Sequence, residues 1–175
     1  MACDGTIAGP GGRPTEIADE LEVEVGLGGR VLVASDLLLG SPATPASASA
    51  TTDLARAIEA WSGPGALIVA GNLFELLVAE PHDAVPDPMA ALGAHPRLTT
   101  ALRAFGAAEG RRLICLPGSR DARLAWDHTA ADAVAGELGA ELALAVEVTL
   151  ETGAGRRRVR VEPGHRLDPR HALAD

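Results

Sequence analysis

Four short polar stretches carry the residue types of a hydrolytic or metal-binding site. Ser35 and Asp36 follow the apolar run 31–34. Gly71 and Asn72 follow "ALIVA". Gly118, Ser119, Arg120 and Asp121 follow "LICLP". Gly164 and His165, with Asp168, follow the basic stretch "RRRVRVE". Carboxylates, imidazoles and carbonyl oxygens hold divalent cations, and a guanidinium grips phosphate oxygens. Each group stands where an apolar strand ends. In a parallel sheet the ends of neighbouring strands line one edge, so the four loops are expected to converge on one cleft. Strand ends are also polar wherever a chain turns into solvent. Spacing alone leaves both readings open.

The elements that must position these groups can be read from periodicity. "LEVEV", 21–25, alternates apolar and acidic residues as an edge strand does. "GLGG", 26–29, reads as a turn, so 21–25 and 30–35 are expected to form a hairpin. It precedes a strand, whereas a phosphate-binding loop opens a helix. Residues 31–34, 66–71 and 111–118 read as three buried strands. "GSPATPASASATT", 40–52, reads as a low-complexity loop, with Thr52 or Asp53 capping the helix that follows. Residues 81–96 read as a Pro-rich connection. Pro96 begins a helix with Leu98, Leu102 and Phe105 on one face. Residues 129–140 form another helix, capped by Asp127. Residues 141–150 and 156–162 form a hairpin around "ETGAG". Strand–helix alternation predicts a mostly parallel sheet with helices on both faces, and the strand-rich end predicts a second sheet. Residues 1–20 read as a flexible leader before one domain over 21–175.

Composition narrows the function. The chain has 175 residues, 47% hydrophobic and 22% charged, with two Phe, two Trp and no Tyr. The core must be aliphatic, and little is available for stacking on bases. No Lys occurs, which excludes a P-loop and Schiff-base chemistry. A net charge of −9 opposes nucleic-acid binding, and the Arg156–Arg158 cluster with Arg160 reads as the outer face of a hairpin. Cys3 and Cys115 suggest neither a disulfide framework nor a zinc site. No apolar run is long enough to span a membrane, and a cytoplasmic location is expected. The Ala, Gly and Arg usage is that of a GC-rich bacterial genome. Ser35 and Ser119 lack a nucleophile elbow. His82, His95, His128 and His171 have no metal-ligand spacing and are expected on surface loops or helix starts.

Taken in order, the polar stretches resemble the calcineurin-like metallophosphoesterases, especially the UDP-diacylglucosamine pyrophosphatase branch. "SDLLLG" stands where that family has "SDLHLG". "AGNLFELL" stands for "GDLFEL", "LPGSRDARLAWD" for "PGNRD" and "VEPGHRLDP" for "HGHxxDP". The resemblance spans about residues 30 to 175. It implies an α/β fold of mixed sheets sandwiched by helices, with its C-terminal part missing. It also implies a centre of two metal ions about 4 Å apart that activates water.

The departures fall on the ligands. Asp36 is retained. Leu38 replaces the first histidine, Asn72 the bridging aspartate, Ser119 the asparagine and Pro163 the H-G histidine. The G-H-x-H motif is absent from these 175 residues. One carboxylate and two neutral oxygens are a poor shell for two divalent cations. Asp36, Asn72 and Ser119 are therefore expected to form a weak remnant metal site, with His165 nearby. Arg120 and Asp121 match the family residues that arrange the phosphate; the simpler reading is an Arg–Asp pair stabilising a turn. Two functions follow from the resemblance. One is a non-catalytic domain, without tightly bound cofactor, that binds a phosphate-bearing ligand or a protein partner. The other is an active phosphoester or pyrophosphate hydrolase using Mn, Zn or Mg in an unusual shell.

Overall fold

β3 (Gly65–Ala70) forms the centre because its sequence, GALIVA, is apolar throughout. It pairs in parallel with β2 (Arg30–Ala34) on one side and β4 (Arg111–Leu116) on the other. β4 pairs in parallel with the short β5 (Glu141–Leu142), giving the order β2-β3-β4-β5. The computed structural model describes residues 17–77 and 84–167. Alternation along β3 and β4 divides the core. Leu67, Val69, Leu113 and Cys115 face α1 (Pro45–Glu59), α3 (Pro96–Gly106) and α4 (His128–Leu138), which contribute Leu54, Ile58, Leu102, Phe105 and Val134. Ala66, Ile68, Ile114 and Leu116 face a second sheet through Val23, Val25, Val146 and Val148. Each fully buried aliphatic side chain of this kind contributes about 1.5–3 kcal/mol.

The second sheet has the order β1-β6-β7, from β1 (Leu21–Val25), β6 (Val146–Thr152) and β7 (Gly155–Val161). β1 runs parallel to β6, and β6 and β7 form the expected hairpin. On its outer side Arg156 meets Glu24, Arg158 meets Glu147 and Arg160 meets Glu20, so three of the four arginines of the basic cluster are matched by carboxylates. The chain is thus a mixed α/β protein with two sheets and, among the described residues, four helices. The helices pack on one face of the parallel sheet, and the second sheet takes the other. The expectation of helices on both faces is corrected accordingly. Among the described residues, no helix is long and apolar enough to cross a membrane.

Several local expectations change. β1 and β2 are not a hairpin: the Gly26–Gly29 turn, closed by Gly29 N–H to Gly26 O at 3.0 Å, carries the chain from one sheet to the other. β2 is an edge strand, and Val33 is 47% exposed. The run 141–150 is divided between the sheets as β5 and β6. Ile17 packs on the core and Ala18 bridges Ala143, so the leader expected over 1–20 does not include these residues; residues 1–16 lie outside those described. The Pro-rich connection contains α2 (Pro88–Ala94), because Asp87 caps it by accepting from Met89 N–H. Asp127 caps α4 as expected, accepting from Ala130 N–H.

The largest change lies in the small-residue run. Helix α1 begins at Pro45, not after Thr52, because Thr44 and Ser47 form a reciprocal capping box. The Thr44 hydroxyl accepts from Ser47 N–H at 3.1 Å, and Ser47 Oγ accepts from Thr44 N–H at 3.0 Å. Proline at the first helical position adds its preset φ. Substituting Thr44→Ala should lower stability by about 1 kcal/mol in urea denaturation, with an unchanged m-value.

Candidate functional site

Beyond the strand ends, the loops after β2 and β3 stay zipped together. Asp36 N–H donates to Gly71 O, Leu38 N–H to Asn72 O, Leu39 N–H to Leu73 O, and Glu75 N–H back to Leu39 O, at 2.8–3.2 Å. This ladder holds three non-glycine residues in the left-handed region: Asp36 (φ 56°), Leu38 (φ 50°) and Asn72 (φ 55°). Asp and Asn tolerate that region through their short polar side chains; a leucine there is strained.

The loop after β4 is tied to the same place by one carboxylate. Asp121 is 1% exposed. Its Oδ1 accepts from Gly118 N–H at 2.6 Å and Asn72 N–H at 3.2 Å, and its Oδ2 accepts from Phe74 N–H at 3.1 Å. Burial pushes this carboxyl above the usual range, while the amides of Phe74, Gly118, Asn72 and Leu73 pull it back. Asp121 does not line the cleft. It is the bracket between two strand ends.

Asp36 and Asn72 meet directly. The Asn72 amide nitrogen donates to Asp36 Oδ1 at 2.8 Å, and its carbonyl oxygen accepts from Arg120 N–H at 2.9 Å. These two partners orient the amide with its nitrogen toward the carboxylate. Oδ1 of Asp36 is therefore committed to an N–H. The oxygen of Asn72 points to backbone. The donor set does not fit a two-metal centre, and among the described residues no three His, Cys, Asp or Glu side chains could share a metal ion.

The cleft has a volume of about 540 Å³, and Asp36, Asn72, Ser119, Pro163 and His165 line it. The convergence expected from the strand ends is thus what the fold produces. Arg120 is absent from its wall. Its guanidinium reaches Glu75 Oε2 at 3.2 Å, so Arg120 pairs with Glu75 and not with Asp121. Asp168, His82 and His171 lie outside the described residues. His128 starts α4 and is exposed; His95 also stands at a helix start, that of α3, and is 5% exposed. Cys115 is buried in β4, and burial pushes its thiol up to about 12, so it is an unreactive core residue.

Glu162 also lines the cleft and was not singled out from sequence. It directly follows β7 and precedes Pro163, in a stretch whose polar end is read from Gly164 onward. Its carboxylate pairs with Arg160 at 3.4 Å. No arginine stands among the lining residues that are described.

Comparison with protein-family models, with characterised proteins and with solved structures returned no match.

Two substitutions check this frame. A Cβ at Gly118 would stand 2.4 Å from Asn72 Oδ1 and 2.5 Å from Asn72 N. Gly118→Ala should therefore cost about 1–3 kcal/mol by forcing the two loops apart. Asp121→Asn keeps the shape but turns an N–H₂ toward backbone donors. It should cost about 3 kcal/mol or more in chemical denaturation, far above an exposed Asp→Asn change such as Asp53→Asn.

Proposed function

We propose that this chain is a calcineurin-like metallophosphoesterase domain that has lost its metal chemistry and serves as a binding module for a protein partner. The order β2-β3-β4 with its converging loops supports the resemblance seen in "SDLLLG", "AGNLFELL" and "PGSRD". The observation that carries the non-catalytic reading is the hydrogen bond from the Asn72 amide to Asp36. It commits one oxygen of the sole retained carboxylate to an amide donor. Leu38 and Pro163 offer no ligand atoms in their side chains, and Ser119 offers a neutral hydroxyl.

Electrostatics favours a protein over a phosphate-bearing ligand. The cleft presents Asp36 and Glu162, and the nearest matched anion-gripping residue, Arg120, is engaged by Glu75. A phosphate would meet the carboxylate of Asp36, and Glu162 already paired with Arg160. A partner segment bearing an arginine or lysine would meet complementary charge.

The test is a thermal melt of wild type and Asn72→Asp, each with and without Mn²⁺, alongside calorimetric titration of Mn²⁺ and Zn²⁺. Wild type should bind metal only weakly and sub-stoichiometrically, and its Tm should not respond. The variant places two carboxylates at hydrogen-bond distance, so without metal it should lose about 1–3 kcal/mol. Mn²⁺ should restore it, with affinity raised about tenfold or more over wild type. Two tightly held ions in wild type, or metal-dependent hydrolysis of an aryl phosphodiester abolished by Asp36→Ala, would establish the active-hydrolase alternative instead.

A further inference from the structure

The two edges of the second sheet are finished differently. At the β1 edge the guanidinium of Arg112 donates to Glu22 O at 2.7 Å, so part of the open row is covered. At the β7 edge, among the described residues, no further strand pairs. The register tells which groups face outward there. Leu21 N–H donates to Ala145 O, and successive residues of a strand turn their N–H and C=O groups to opposite sides. Ala145, Glu147 and Thr149 therefore turn theirs to β1, and Val146, Val148 and Leu150 turn theirs to β7. Val161, Val159 and Arg157 stand opposite these three and complete the ladder. The backbone groups of Arg156, Arg158 and Arg160 are left pointing to the open side. On this row Arg156 O accepts from the Arg157 guanidinium at 3.2 Å.

The side chains of β7 split between the faces. Arg156, Arg158 and Arg160 lie on the outer face, where carboxylates hold them. Arg157, Val159 and Val161 lie on the inner face. Val161 packs partly on the core, whereas Val159 is 45% exposed. Arg157 is the one arginine of the cluster without an ion pair among the described residues.

We infer that β7 is a docking edge for an extended segment of another protein, which adds as a further strand and carries an acidic residue opposite Arg157 and an apolar residue opposite Val159. Main-chain bonds to Arg156, Arg158 and Arg160 supply the affinity, and the alternate inward side chains select the partner. Charge decides the occupant. When two β7 strands of two copies pair antiparallel, side chains of one face oppose side chains of the same face. Every such register sets the outer arginines against one another, which is unfavourable. An acidic segment instead meets the unmatched guanidinium of Arg157. This edge is separate from the cleft, and its role holds whether or not the cleft takes a partner.

The test uses the full chain and two blocked peptides, Val-Thr-Val-Thr-Glu-Thr and the same sequence with Lys in place of Glu. Amide hydrogen exchange is followed by NMR while each is titrated. In the free chain the amides of Arg158 and Arg160 should exchange as open amides do, while that of Val159 is protected by β6. The Glu peptide should protect Arg158 and Arg160 several-fold, and the Lys peptide should bind about fivefold or more weakly. Arg157→Glu should reverse that preference. Arg158→Pro removes a donor on the open side only, which an edge strand tolerates, so it should abolish binding with little change in Tm. Equal binding of both peptides, or no protection by either, overturns the proposal. So does protection of Arg158 and Arg160 before any peptide is added: if it is lost on dilution a second copy covers the edge, and if it persists the chain covers the edge itself. Should Arg158→Pro fail to fold, Arg157→Glu decides: a reversed preference supports the proposal and an unchanged one overturns it.

Discussion

The carboxylate of Asp121 is the constraint on which the geometry of the strand ends depends. Without it, the backbone N–H groups of Gly118, Asn72 and Phe74 would point into a buried space with no acceptor. Strand pairing cannot serve them, because β3 ends at Ala70 and β4 at Leu116. One side chain does for these loops what the ladder does for the strands. Gly71 and Gly118 then allow the two turns to approach. A Cβ on Gly71 would stand 3.2 Å from the Gly118 Cα and 3.3 Å from Pro163. The cleft floor is a contact between backbones, with Pro163 closing it from the second sheet.

This arrangement separates the frame of the site from its chemistry. A metal centre often holds its own loops in place, and removing the ion then loosens them. Here the loops are held by amide–carboxylate and amide–carbonyl bonds that involve no cation. Asn72 extends that logic into the cleft. Its amide links Asp36 after β2 to Arg120 after β4, so three strand ends are joined through one side chain. The cleft floor therefore keeps its shape through protein–protein hydrogen bonds alone.

Much of this was legible in the sequence, for physical reasons that vary by element. The three parallel strands announced themselves as apolar runs, and Asp36, Asn72 and Ser119 converge because they follow adjacent strands. The partners of β1 were not legible. "LEVEV" specifies a strand with one wet face but not which sheet it joins, and the turn "GLGG" suits a sheet change as well as a hairpin. Helix α1 was hidden by its Ala, Ser and Thr content, which reads as low complexity. The decisive signal was the pair Thr44 and Ser47 around Pro45, a capping box with serine in the place usual for glutamate. The role of Asp121 could not be read, since burial of a carboxylate against backbone amides leaves no mark on periodicity. For the same reason Arg120 and Asp121, adjacent in sequence, part company in space. One reaches Glu75 at the surface, and the other turns inward.

The left-handed residues bear on what such a frame is for. Strained φ values cost of order 1–3 kcal/mol each at residues that do not favour them, and Leu38 is such a residue. The segment could relax if its shape had no use, since glycine or asparagine at position 38 would remove the strain. Its amide donates to Asn72 O, and its side chain remains 38% exposed beside Asp36. A ligand-free metal loop would have no need of an exposed leucine held in that conformation. On the proposed reading a binding surface would: Leu38 supplies an apolar contact beside Asp36, in a hollow they share with Thr44 and Ala46. On the proposed reading, the histidine-to-leucine change does more than remove a ligand. It converts a polar metal-facing position into the apolar neighbour of an acidic cleft, which suits a partner that offers a cationic side chain flanked by an apolar one.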